Sequence, residues 1–136
     1  MFDTAYLKGE TWGCAGASVE HVETHAAHVF VVGNRAFKIK KAVKLPYLDF
    51  SDVEKRRKVL EDELEINRAF APDLYLQAAE VRGEPVLVMR RFPDHALLSW
   101  KMAHGGIDSQ LAAKLAAMVA RSHEVAPRRD VRGADI

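Results

Sequence analysis

Cysteine is nearly missing from this chain: of 136 residues, Cys14 alone carries a thiol. An intrachain disulfide and a cysteine metal cluster are excluded, and a reducing cytoplasm fits. Charge excess is missing too. Lys and Arg number 20 against 19 Asp and Glu, a net charge of +1, so nucleic acid is not an expected partner. No stretch approaches the ~20 apolar residues that a membrane span requires. The first residues show no basic start leading into an apolar run and a small-residue cleavage site. Six histidines are present. His21, His25 and His28 lie close together but lack the His-Glu-x-x-His spacing of a helical zinc site, so no metal is expected on them. What is there is ordinary for a folded domain or one lobe of a larger one, with 49% hydrophobic and 29% charged residues.

Periodicity begins near Val19. Residues 1–18, with Gly9, Gly13 and Gly16, read as a loose leading segment. The run His28-Val29-Phe30-Val31-Val32 is β-branched and aromatic, as a buried strand should be. Gly33-Asn34 then separates it from Arg35-Ala36-Phe37-Lys38-Ile39-Lys40-Lys41, a hairpin signal in which both turn residues tolerate positive φ. Along the second strand Ala36, Lys38 and Lys40 share one face and Phe37 and Ile39 the other. Two readings of the lysine face stay open, a solvated hairpin edge or a functional pair. A second hairpin is expected about Gly83, with an apolar strand ending at Met89.

Ser51-Asp52-Val53-Glu54 has the form of a capping box with Ser51 as N-cap. A helix is expected over 52–70, stopped by Pro72. At 100° per residue, Val53, Val59, Leu60, Leu64, Ile66 and Phe70 form its apolar arc. Glu63, Asn67 and Arg56 fall inside that arc. A buried carboxylate without a partner costs several kcal/mol or gives up its charge, so Glu63 needs a cation or a wet cleft. Residues 96–103 read as a short helix ended by Gly105-Gly106. Asp108 or Ser109 can cap a last helix running to about Val125. The order predicts an α+β lobe, an antiparallel sheet with one long packed helix, followed by helices.

Several blocks occur together in a familiar order. They are Val22-Glu23-Thr24-His25, Ala36-Phe37-Lys38-Ile39-Lys40-Lys41, Leu48-Asp49-Phe50-Ser51, Glu63-Leu64-Glu65-Ile66-Asn67-Arg68, Ala71-Pro72-Asp73-Leu74-Tyr75-Leu76 and Met89-Arg90-Arg91-Phe92-Pro93. With these, residues 19–127 resemble the aminoglycoside phosphotransferase-like kinases, which have a protein-kinase-like fold. More narrowly they are similar to a bacterial branch often fused to a P-loop ATPase domain. The resemblance implies a kinase-like N-lobe over 19–93, the helical start of a C-lobe over 94–127 and a polar tail over 128–136. It places Lys38 where the Val-Ala-Ile-Lys pattern has its phosphate-binding lysine, with Lys40 as the other choice and Glu63 as the helix partner. Thr24 and His25 would sit in the loop over the phosphates, which has no Gly-x-Gly-x-x-Gly. Ala36 would pack on adenine, and Met89, Arg90 and Arg91 would belong to the hinge that offers backbone groups to it.

The implied cofactor is ATP, with Mg2+ in full-length relatives. Phosphoryl transfer also needs an aspartate for the acceptor hydroxyl and Asn and Asp groups for magnesium. In this family those follow a His-Gly-Asp-type loop and a later Asp motif. Neither Asp130 nor Asp135 matches, and there is no Gly-x-x-x-x-Gly-Lys. The expectation is a truncated, ATP-binding transferase lobe without catalytic residues, inactive alone. A non-catalytic interaction or regulatory module is the alternative, and a second copy or a partner chain covering exposed lobe surface is expected in either case.

Overall fold

A computed structural model describes residues 3–128, so the expected polar tail over 128–136 falls, beyond Arg128, outside the described residues. The architecture is mixed α+β with an antiparallel sheet, and it divides into two compact units, Met1–Arg91 and Phe92–Ile136.

The first unit is built on five strands: β1 (Val19–Glu23), β2 (Ala27–Val32), β3 (Arg35–Lys40), β6 (Tyr75–Val81) and β7 (Glu84–Arg90). Their order across the sheet is β1-β2-β3-β7-β6, each neighbour antiparallel. Two short strands, β4 (Lys44–Leu45) and β5 (Leu48–Asp49), form a separate ribbon. The β2–β3 hairpin pairs Val32 with Arg35 across Gly33-Asn34. Gly33 takes φ 58°, while Asn34 keeps a negative φ, so one turn residue and not both uses the left-handed region. In the β6–β7 hairpin both turn residues, Arg82 at φ 56° and Gly83 at φ 81°, lie there, as a twisted two-residue loop requires.

Helix α1 (Val53–Arg68) packs over β6 and β7. Its N-cap is Asp52, whose carboxylate accepts from the Glu54 amide at 2.8 Å. The expected cap, Ser51, instead donates its hydroxyl to Asp49 at 2.6 Å, because a carboxylate is the stronger acceptor. The inward stripe is also narrower than the wheel suggests. Arg56 and Leu60 are buried, whereas Ile66 and Phe70 are each 46% exposed.

One face of the sheet holds an aromatic core. Phe30, Val32, Phe37, Ile39, Val86 and Val88 are buried there with Tyr6 and Trp12. The leading segment is therefore not loose. Two 3-10 turns, Thr4–Leu7 and Gly9–Trp12, bring the Trp12 ring to 4.5 Å from Phe37 and 5.1 Å from Phe30, centroid to centroid. Trp12 Nε1 donates to the Tyr6 carbonyl at 2.8 Å, and the Tyr6 hydroxyl donates to the Val81 carbonyl at 3.3 Å. Gly9 permits the tight return. A Cβ on it would lie 2.3 Å from the Cys14 carbonyl oxygen and 2.6 Å from that of Ala17.

The second unit contains α2 (Leu98–Ala103), preceded by a 3-10 turn over Asp94–Ala96, and α3 (Ser109–Val125). Asp108 caps α3 by accepting from the Leu111 amide at 2.7 Å. None of the helical residues here is buried, and Trp100, Met102, Met118, Val119 and Val125 are exposed. No helix among the described residues is long and apolar enough to cross a membrane.

Candidate functional site

Cross-strand partners share a sheet face. Lys38 stands between Val29 of β2 and Leu87 of β7, Ala36 between Val31 and Met89, and Lys40 opposite Ala27. This face is opposite to the aromatic core. Leu87 on it is fully buried, while Val29, Val31, Ala36 and Met89 are half-buried. They form an apolar floor beside the two lysines.

Glu63 comes to the same place from α1. Lys38 Nζ donates to Glu63 Oε1 at 2.6 Å, and Lys40 Nζ lies 2.8 Å from Glu63 Oε2. Each carboxylate oxygen thus has its own ammonium. The side chains of Lys38, Lys40 and Glu63 are 25%, 12% and 17% exposed. The arrangement answers the arc problem, since the carboxylate in the apolar stripe of the helix faces two cations from β3. Burial pushes the Glu63 carboxyl up, but hydrogen bonds and charge from both lysines outweigh it and hold it below the usual glutamate range. Lys40 also lies 5.4 Å from the centre of the buried Phe50 ring, a cation–π distance. Asn67, one turn on from Glu63, donates to the Glu63 carbonyl at 2.9 Å.

Arg56 gives the second polar residue of the stripe a partner of its own. Its Nε and Nη2 donate to Glu84 at 3.1 and 2.8 Å, a two-pronged pair, and Nη1 donates to the Phe50 carbonyl at 2.9 Å. Glu84 carries no mark in the sequence that distinguishes it from other turn-flanking carboxylates. Its pairing with Arg56 depends on how α1 lies over the hairpin.

The remaining candidate residues divide. Thr24 closes the β1–β2 loop, its hydroxyl accepting from the Ala27 amide at 3.0 Å and donating to the Ala27 carbonyl at 3.2 Å. His25 is exposed in the same loop. Met89 ends the apolar floor, but the Arg90 amide donates to the Leu74 carbonyl at 2.8 Å and the Arg91 amide to that of Asn34 at 2.9 Å. Both of those amides are thus taken up inside the lobe. His21 Nε2 and His28 Nδ1 are 3.0 Å apart. No group of three or more His, Cys, Asp or Glu among the described residues could hold a metal ion.

A cleft of about 440 Å³ opens beside Lys40 and is lined also by Tyr6, His28, Lys41, Arg56 and Glu84. It reaches neither Lys38 nor Glu63. Its cations are already matched, Lys41 with Glu23, Arg56 with Glu84 and Arg82 with Asp3. At the lysine cluster two ammoniums share one carboxylate, so it carries a positive charge to spare.

No family model matches the chain, and no solved structure matches it. The chain is 37% identical over 113 residues to the uncharacterized protein Rv2004c of Mycobacterium tuberculosis and, to the same extent, to the uncharacterized protein Mb2027c of Mycobacterium bovis. The match takes in 78% of this chain and 22% of each relative, so the chain spans about a fifth of their length.

Proposed function

We propose that this chain is the nucleotide-binding lobe of an aminoglycoside phosphotransferase-like kinase. The observation that carries the reading is the junction of Lys38 and Glu63 at 2.6 Å, from a central strand and its packed helix, beside an apolar floor. Lys38 supplies a cation for the phosphates of ATP, Glu63 aims it, and Ala36, Val31 and Met89 supply a surface for a flat base. A cytoplasmic setting belongs to this reading, in keeping with a lone thiol, Cys14.

Turnover is not part of the proposal. Phosphoryl transfer depends on positioned carboxylates and magnesium. The residues described here do not fit a metal site, so no step is assigned through Mg2+. Activity would belong to a longer protein of the kind the mycobacterial relatives represent.

A fluorescent ATP analogue titrated into the chain, with Lys38→Ala beside it, tests the reading. Saturable binding by the wild type and a loss of at least about tenfold in the variant are expected, the scale of one lost charged contact. No binding by either protein overturns it. The alternative, an interaction or regulatory module, is favoured by the exposed Trp100, Met102, Met118, Val119 and Val125. Concentration-dependent association in sedimentation without nucleotide affinity would establish that alternative.

A further inference from the structure

We propose that Lys40 holds the terminal phosphate of a nucleoside triphosphate while Lys38 holds the phosphates nearer the base, so that this end of β3 selects triphosphates over diphosphates. The proposal rests on the nucleotide reading above and concerns a residue to which that reading gives no task. Ala36, Lys38 and Lys40 follow one another on one face of β3, each step advancing about 6 to 7 Å for two residues of a strand. They run from the apolar floor at Ala36, Val31 and Met89 to the β1–β2 loop, where Lys40 stands opposite Ala27. A nucleotide with its base on that floor meets Lys38 first and Lys40 last. The ammoniums themselves converge, at 2.6 and 2.8 Å from the two oxygens of Glu63. That spacing suits neighbouring phosphates of one chain.

Neither lysine has to leave Glu63. An ammonium carries three N–H donors. Glu63 engages each ammonium through one oxygen, so the same nitrogen can hold the carboxylate and a phosphate together. Two positive charges against one leave one for the ligand. Lys40 keeps an open side, at 12% exposed, and the buried Phe50 ring, 5.4 Å away, attracts a cation without neutralising it. On the same face Glu20 of β1 lies at the floor end, opposite Val31, where it meets Arg91 at 3.6 Å. Lys41, the next residue, is held by Glu23.

The β1–β2 loop gives the reason for using a side chain. Glycine-rich loops bring backbone amides up to a phosphate. Thr24-His25-Ala26 has no glycine. The Thr24 amide donates to the Ala27 carbonyl at 2.9 Å, and the Ala27 amide donates to the Thr24 hydroxyl at 3.0 Å. The amides at both ends of the turn are therefore taken up inside it, and Lys40 is the cation of β3 at that end of the face.

Calorimetry of ATP and ADP binding tests the proposal, in EDTA so that the protein's own cations meet the phosphates. The wild type should bind ATP at least about tenfold tighter than ADP, the scale of one charged contact. In Lys40→Met the preference should disappear through loss of ATP affinity, with ADP affinity unchanged. Lys38→Met should weaken both ligands alike, and Lys40→Arg should keep the preference. Phosphorus NMR of bound ATP adds a reading that general weakening does not imitate. The γ-phosphorus resonance should move on binding to the wild type and stay at its free position in saturated Lys40→Met, while the α and β resonances move in both. Circular dichroism checks the fold of each variant, and Lys40→Gln, which keeps a polar stem without the charge, stands in for Lys40→Met if that protein does not fold.

Equal affinity of the wild type for ATP and ADP, or a γ resonance that the wild type does not move, overturns the proposal and leaves the nucleotide reading standing. So does a Lys40→Met protein that keeps the preference or loses both ligands in the same proportion. If the wild type binds neither nucleotide, the reading of function falls and the proposal with it.

Discussion

The two faces of the five-stranded sheet are built on opposite principles. One is largely aromatic and apolar. Tyr6 and Trp12 from the leading segment seal Phe30 and Phe37, and the hydrogen-bonding groups of both capping residues are satisfied by backbone carbonyls. The other is only partly covered by α1, and beside the buried Ala27 and Leu87 it carries charge: Lys38, Lys40 and Glu63 in one half-buried cluster, with Arg56 entering the stripe nearby to meet Glu84. The contrast teaches a division of labour. Apolar burial is non-directional and supplies stability in proportion to area. Buried charge supplies little net stability and much geometric definition, because it tolerates only arrangements in which every group is paired.

That division can be broken from the aromatic side first. Trp12→Ala removes the ring that stacks on both Phe30 and Phe37, and should cost about 3 to 5 kcal/mol. Against a usual total of roughly 5 to 15 kcal/mol, the chain would be at the margin of folding. Urea unfolding followed by circular dichroism checks this. A loss under ~1 kcal/mol would show that the leading segment does not cap the sheet.

On the charged face the largest effect should come from Glu84→Gln. The Arg56 side chain is 7% exposed and would be left as a buried cation with only neutral acceptors, the glutamine amide oxygen and the Phe50 carbonyl. Because Glu84 itself is 31% exposed, water can replace part of the lost contact, so about 2 kcal/mol is expected. Glu63→Leu should do less. It removes a carboxylate from an apolar stripe, and the two lysines it leaves, 25% and 12% exposed, can swing their ammoniums toward water on flexible stems, so the midpoint of thermal unfolding should stay within a few degrees of wild type, while affinity for the ATP analogue falls if the nucleotide reading holds. A melt lowered by ten degrees or more would show that this cluster stabilises the fold after all.

The smallest effect is in pH. Glu63 has its pKa lowered in the folded chain, so the stability it contributes is present above its ordinary value of 4.5 and is lost as pH falls below that. Unfolding measured from pH 6 down to 3.5 should be a shallower function of pH in Glu63→Gln than in wild type. Equal slopes would mean that the carboxyl is not held by its lysines.

Much of the fold was legible because its signals are local. The Gly33-Asn34 and Arg82-Gly83 turns, the alternation along β3 and the span of α1 all follow from residues a few positions apart. The demand of Glu63 for a cation was legible as well, since a charge in an apolar arc is a physical contradiction until it is paired. What escaped was non-local. Tyr6 and Trp12 sit among glycines with no period to reveal that they cover the sheet. Ser51 matched the capping pattern, but the nearby Asp49 took its hydroxyl. The choice between Lys38 and Lys40 could not be made from alternation, because both point the same way. In the fold both reach Glu63.

The amino-acid order alone determined which segments are strands and helix, where they turn, and which charged residues would be forced inward. Those outcomes depend on backbone preference and on a residue's place in a two- or 3.6-residue period. Tertiary structure decided which of the inward charges meet. Lys38 and Glu63 are 25 residues apart, and Arg56 and Glu84 are 28 apart. Such pairs form only when β7 inserts beside β3 and α1 settles across the sheet, and the low-dielectric interior then makes any other pairing costly.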